Sequence, residues 1–269
     1  MFYRQAARAE TVSAKSLEAY MEFGKASAVR TGTLLLAVVG MLATMGCVST
    51  DRPSPVPAPV TETKTEQAPS AYLAMLRTHG ISTSIPAHGK FVLVNIPSFE
   101  LIALEDGVPV LRSRVVVGRP GTATPEMLTS LVAIQFNPSW TPTPSMIRNE
   151  GLRYVPPGPQ NPLGRILFDL ENDELIYLHD TNERALFNRP KRALSHGCIR
   201  VEQARALAAW SLGVSEKEID AMIARGTTNS VPVPEVIPVS LAYYTTFPDE
   251  HGELVSHPDI YASRQARLQ

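Results

Sequence analysis

From Phe91 onward the apolar positions fall in short runs that turn residues interrupt, the texture of strands rather than of long helices. Phe91 to Ile96 is one such run, closed by Pro97. Phe99 to Leu104 leads into Glu105-Asp106-Gly107, a hairpin signal, and Val110 to Val117 follows before Gly118. Leu131 to Phe136 predicts another strand, ended by Asn137-Pro138. Ile166 to Leu170 and Leu175 to Leu178 flank a polar turn and predict a further hairpin. Between these, residues 137–164 hold seven prolines and three glycines and predict a long loop of the kind that often carries function.

Helical spacing appears late in the chain. Ala204, Leu207, Ala208 and Leu212 predict a helix over Val201 to Leu212, stopped by Gly213. Ser215 and Glu218 form a capping-box pair for a second helix, with Ile219, Met222 and Ile223 on one face and Gly226 past its end. Strand texture returns from Val236 to Phe247, a turn follows at Asp249 to Gly252, and a last short segment lies around Val255. The fold class is therefore mainly β with two late helices.

The first 69 residues follow another pattern. Residues 1–30 carry five basic and three acidic side chains, and Thr33 to Met45 is an uncharged apolar stretch ending in small residues. That stretch is short of the ~20 apolar residues that span a bilayer, and with its basic flank it describes an export signal. Met21 would give the signal a more ordinary basic region. Thr44-Met45-Gly46-Cys47 resembles the lipobox of bacterial lipoproteins, which makes Cys47 the lipidation candidate and implies a membrane anchor. Residues 51–69 contain five prolines and almost no large apolar side chain, so they read as a stiff tether. The expected organisation is residues 1–47 as N-region and signal, 48–69 as tether, 70–262 as one globular domain and 263–269 as a tail. The domain would be exported, periplasmic and held at a membrane.

Composition narrows the function classes. The chain has 269 residues, is 44% hydrophobic and 19% charged, and carries a formal net charge of −1. An apolar fraction of that size with so little net charge excludes wholesale disorder, and the charge balance argues against nucleic-acid partners. Two cysteines allow no disulfide framework. If Cys47 is used at the membrane, Cys198 is a lone thiol in an oxidising compartment, and reactivity is the best account of it.

Cys198 sits in Ser195-His196-Gly197-Cys198-Ile199-Arg200, between the strand that His179 ends and the helix expected from Val201. A thiol must become thiolate to attack a carbonyl, and a nearby imidazole can take the proton. A place just before a helix would favour the anion. Gly197 lets backbone approach a ligand closely, so the amides of Gly197 and Cys198 are candidate oxyanion donors. Arg184, Arg189, Lys191, Arg192 and Arg200 add positive charge that could depress the thiol pKa or hold a substrate carboxylate. Two alternatives stand beside the nucleophile. His179, His196 and Cys198 could offer three zinc ligands, with Asp180, His251 or His257 as a fourth, although paired ligand spacing is missing. A cysteine can also be a small buried hydrophobe.

His179, fifteen intervening residues and then the Ser195–Arg200 motif resembles the active-site signature of the L,D-transpeptidases, whose catalytic domain is of the YkuD type. Further segments are similar to the YcbB branch of that family: Val94 to Pro97, Arg114 to Pro120 with Thr124-Pro125, Asn137-Pro138 with Trp140, Pro157 to Arg165, Tyr177 to Thr181, and Asp259 to Tyr261. The resemblance implies a β-sandwich or barrel-type catalytic domain. It implies Cys198 as nucleophile and His179 as general base, oriented by Asp180. It further implies oxyanion and support roles for Ser195, His196 and Gly197, and substrate contacts from Arg200 and Tyr177. The activity implied is a peptidoglycan L,D-transpeptidase that takes a donor tetrapeptide stem, forms a thioester, and passes the acyl group to a diaminopimelate-type amine. The products would be 3→3 cross-links or envelope proteins attached to stem peptides. No metal or cofactor is implied, and a monomer is expected. A hydrolase of the same fold and a non-catalytic wall-binding lipoprotein are the competing functions. The chain departs from the larger enzymes of that branch in lacking a sizeable capping insertion between Trp140 and Pro157.

Overall fold

The computed structural model describes residues 70–81 and 85–262. Cys47, the signal, the tether and the tail from residue 263 lie outside the described residues. Among the described residues there are eleven strands and four α-helices; the strands are β1 (Lys90–Asn95), β2 (Glu100–Glu105), β3 (Val108–Gly118), β4 (Met127–Phe136), β5 (Ile166–Leu170), β6 (Leu178–His179), β7 (Ala193–Ser195), β8 (Ile199–Val201), β9 (Asn229–Ala242), β10 (Thr246–Pro248) and β11 (Leu254–Ser256). The helices are α1 (Ala71–Thr78), α2 (Pro144–Glu150), α3 (Ala204–Leu212) and α4 (Glu216–Ala224). The mainly β class and the two late helices are as the sequence predicts.

Nine strands form one sheet in the order β2-β1-β9-β4-β5-β6-β8-β3-β7, and β2 also pairs with β3. That extra pairing closes the circuit, because the first half of β3 binds β2 while Val115 and Val116 bind β8. The result is barrel-like, with β7 attached outside the ring through β3. Closure leaves few unpaired edges.

Burial on both faces explains the continuous apolar run at Phe91. Val92 and Val94 point into the main core with Leu101, Val115, Phe136, Phe168, Leu178, Ile199 and Val201. Phe91 and Leu93 point the other way, into a second cluster with Leu73, Leu76, Ile102, Leu104 and Phe247. The outer cover is α1, which Ser70 caps by accepting from Leu73 N–H. Its eight residues were not anticipated from sequence.

Four of the departures from expectation have a local physical reason. β9 begins at Asn229, seven residues before the predicted Val236, despite Pro232 and Pro234. Ahead of Val239 it has β4 as its one sheet neighbour, so a proline can leave its other edge without a donor. Residues 175–177 are not strand, because Leu175 has φ +56° and Asn172 holds Ile176 through both its N–H and its carbonyl. α3 starts at Ala204 rather than Val201, since Ile199 to Val201 are taken by β8. The proline-rich loop contains α2, capped by Thr143, opened by Pro144 and closed by Gly151 at φ +66°.

Candidate active site

β6 and β8 run parallel in the register Leu178↔Ile199 and His179↔Arg200. Ile199 N–H donates to Tyr177 O at 2.9 Å, which sets Cys198 beside Tyr177. Leu178, Ile199 and Val201 are buried in the core, so strand alternation puts Tyr177, His179, Cys198 and Arg200 on the opposite face. Two short strands thus bring together residues nineteen positions apart in the chain.

His179 is 4% exposed. Its Nδ1 lies 2.5 Å from the Asp180 backbone oxygen. A carbonyl can only accept, so Nδ1 carries the proton and Nε2 is left with a lone pair. Burial, and then the Arg200 charge, push the imidazole down to about 4, against the upward pull of the Asp180 carbonyl. The ring is therefore neutral at neutral pH. Arg200 is itself paired with Glu183.

Asp180 is fixed on three sides. Its N–H donates to Ile166 O at 2.8 Å, Oδ2 accepts from Arg165 N–H at 2.9 Å, and Oδ1 is 3.4 Å from Arg184.

Cys198 is a free thiol, partly exposed, with Sγ 3.5 Å from Leu175 O. Burial pushes the thiol pKa up, outweighing backbone hydrogen bonding at Tyr177 and the charge of Arg200. The expected depression by helix and cations is outweighed, and two features limit it. A strand separates Cys198 from α3. Arg184 is engaged by Asp180, and Arg192 donates to the Val115 and Phe99 carbonyls. Burial thus favours the uncharged forms of both the Cys198 thiol and the His179 imidazole.

The loop before Cys198 is tightly bonded. Ser195 Oγ donates to Cys198 O at 2.6 Å and accepts from Gly197 N–H at 3.1 Å. The Gly197 amide is thereby committed inside the loop instead of joining Cys198 as an oxyanion donor. Among the described residues the Cys198 N–H has no such acceptor. Gly197 sits at φ +126°, a conformation that a side chain would strain. His196 points elsewhere: its Nε2 is 2.9 and 3.0 Å from the two carboxylate oxygens of Glu150, at the end of α2. His179 and His196 therefore have separate partners, and among the described residues no three His, Cys, Asp or Glu side chains are grouped to hold a metal ion. Geometric support for the zinc alternative is missing.

The L,D-transpeptidase catalytic domain (YkuD) family model matches residues 89–234, more than half of the chain and all of this site. The chain belongs to that family. A relative from Haemophilus influenzae assigned as an L,D-transpeptidase is 32% identical over 229 residues, covering 68% of this chain and 47% of its own length. The Escherichia coli protein ErfK/SrfK, assigned likewise, is 33% identical over 120 residues, covering 42% of this chain and 37% of its own. The chain thus spans about half the length, or less, of these curated relatives. Among solved structures, an L,D-transpeptidase from Xylanimonas cellulosilytica is 18% identical with a TM-score of 0.37, over 63% of this chain and 68% of that one.

Sequence reading overlooked three residues bonded to the cysteine loop or its supports: Thr124, whose Oγ1 lies 2.7 Å from Gly197 O, Tyr261, whose Oη accepts from Thr124 N–H at 3.1 Å, and Glu150, which meets His196. Thr124 and Tyr261 lie in segments that carry the resemblance, but nothing local reveals what they bond. Glu150 has no sequence signal at all, because its partner is 46 residues away.

Proposed function

We propose that the chain is a peptidoglycan L,D-transpeptidase that works through a thioester on Cys198, with residues 70–262 as its catalytic domain. The observation that carries this reading is the β6–β8 register, which sets Cys198 and His179 on one face, with the proton of His179 held on Nδ1 and the lone pair left on Nε2. His179 Nε2 takes the thiol proton as sulfur attacks the carbonyl before the terminal D-alanine of a donor tetrapeptide stem. The same burial that keeps His179 neutral destabilises its protonated form. That drives the proton on to the leaving amine nitrogen, so D-alanine departs as the free amine and a thioester remains. The Cys198 N–H, which has no hydrogen-bond acceptor among the described residues, receives the developing oxyanion. An acceptor amine then attacks the thioester, loses its proton to His179, and regenerates the thiol. With a diaminopimelate side chain as acceptor the product is a 3→3 cross-link.

Tyr177 lies beside the thiol and Arg200 beside the imidazole, and both are placed to line the donor peptide. The segments Val94 to Pro97 and Asn137 to Trp140 favour the YcbB branch, and the lipobox-like segment favours an exported protein anchored at Cys47. The test is incubation of the full chain with tetrapeptide-bearing muropeptides, with products read by mass spectrometry. Dimers that have lost D-alanine are the expected result. Tripeptide monomers alone would establish the hydrolase instead, and unchanged substrate would refute both.

A further inference from the structure

A buried threonine lies directly behind the cysteine loop. Thr124 is 3% exposed, and its Oγ1 touches Gly118 N at 2.9 Å and Gly197 O at 2.7 Å. An amide N–H can only donate and a carbonyl can only accept. The hydroxyl therefore accepts from Gly118 and gives its single proton to Gly197 O.

The consequence reaches one atom further. Gly197 C=O and Cys198 N–H belong to one planar trans peptide unit, so they point in opposite directions. A donor that fixes the carbonyl also fixes the direction of the N–H. Thr124 holds the rear of the peptide whose front carries the Cys198 amide.

Thr124 is itself anchored. Its N–H donates to Tyr261 Oη at 3.1 Å, and the Tyr261 O–H donates to Gly118 O at 2.7 Å, closing a ring through Gly118, Thr124 and Tyr261. Gly118 has no room for a side chain, since a Cβ there would lie 2.1 Å from Thr122 O. Tyr243 secures Tyr261 from outside by stacking at 5.4 Å between ring centroids and by accepting from Tyr261 N–H at 2.9 Å.

We propose that Thr124 is a positioning residue for acyl transfer, its hydroxyl aiming the Cys198 N–H at the oxyanion through the shared Gly197–Cys198 peptide. This rests on the thioester chemistry proposed above and adds to it a residue that never touches substrate.

Two reactions of the same thiol separate this role from general support. Acylation by a carbapenem opens an amide through a tetrahedral oxyanion. Alkylation by iodoacetamide displaces iodide at a saturated carbon and builds no oxyanion. In the full chain, Thr124→Val is expected to lower the acylation rate about 10- to 100-fold, within the range seen when an oxyanion donor is lost. Iodoacetamide alkylation should stay within about twofold of wild type, because a displacement at saturated carbon does not use the aimed amide. Thr124→Ser keeps the hydroxyl and should restore most of the acylation rate. If T124V does not fold, Tyr261→Phe carries the same test, since it loosens Thr124 without removing its hydroxyl. Wild-type acylation in the variant, or equal loss of both reactions, overturns the inference alone. A wild-type chain that alkylates normally but never acylates overturns the thioester reading, and this inference with it.

Discussion

His196 and Glu150 join the cysteine loop to the end of α2, with Nε2 2.9 and 3.0 Å from the two carboxylate oxygens. Arg119 approaches the same carboxylate at 3.2 Å. The proline-rich segment is thus pinned to the cysteine loop. The carboxylate is exposed and little stability is at stake, but a substrate crossing the loop would meet α2 in a set place. Glu150→Gln removes the charge that both partners bind. It is expected to raise KM for the donor peptide severalfold while kcat and Tm hardly move. Steady-state release of D-alanine, followed against substrate concentration, checks this. His196, then Arg119, hold the Glu150 carboxyl below its ordinary range, so the contact survives mild acid and is lost only as pH falls through that lowered value.

The buried imidazole is expected to set the acid limb of the activity profile. His179 is pushed down to about 4, chiefly by burial and next by Arg200. In the proposed mechanism the working base is the neutral ring, so kcat/KM should hold from neutral pH down towards 5 and fall near 4, instead of falling near the ordinary histidine value of about 6.5. Arg200→Met removes the second cause, and the acid limb should move upward. Stability follows the same sign. The unfolded chain binds a proton at His179 below about pH 6.5 and the folded chain does not, so stability declines from there to about pH 4 and then levels. Chemical denaturation at pH 7 and pH 4.5 would detect a loss of at most about 3 kcal/mol from this group.

Cys198 should alkylate slowly at neutral pH. Its thiol is pushed above the ordinary value by burial, so the thiolate fraction in the resting enzyme is small. The iodoacetamide rate is expected to keep rising beyond pH 9 without a plateau near neutrality. A plateau below pH 7 would mean a thiolate–imidazolium pair and would contradict the neutral ground state. Cys198→Ala should abolish both alkylation at this site and carbapenem adducts.

Local spacing made the strands, the two late helices and the capping box at Ser215 readable, because each depends on residues a few positions apart. The candidate nucleophile Cys198 and candidate base His179 stood out through their motif, and the β6–β8 register explains how residues far apart in the chain share one face. Hidden were effects that depend on distant neighbours. Burial, invisible in a string of letters, reverses the expected thiol shift. Of the five cations near Cys198 in sequence, Arg184 is engaged by Asp180, Arg192 by backbone carbonyls and Arg200 by Glu183. α2 was obscured by the prolines around it, although Thr143, Pro144 and Gly151 are ordinary start and stop signals.

Gly164 is the tightest support of the base. It has φ +65°, and a Cβ there would lie 2.4 Å from Asp180 Oδ2 and 2.6 Å from Thr181 N. Neither neighbour can give way freely. Oδ2 is held by Arg165 N–H at 2.9 Å, and the Asp180 N–H is tied to Ile166 O at 2.8 Å. Gly164→Ala therefore adds backbone strain and displaces Asp180, whose carbonyl orients His179. A left-handed position occupied by alanine costs about 1–2 kcal/mol, before the clash is counted. The variant should melt several degrees lower, and below its melting point it should lose more than tenfold in acylation rate as His179 Nε2 turns away from the thiol. Asp180→Asn separates the two effects, since it keeps the backbone carbonyl and an acceptor for Arg165. It should retain most activity, whereas losses equal to those of G164A would place the orienting role in the Asp180 carboxylate instead of its carbonyl.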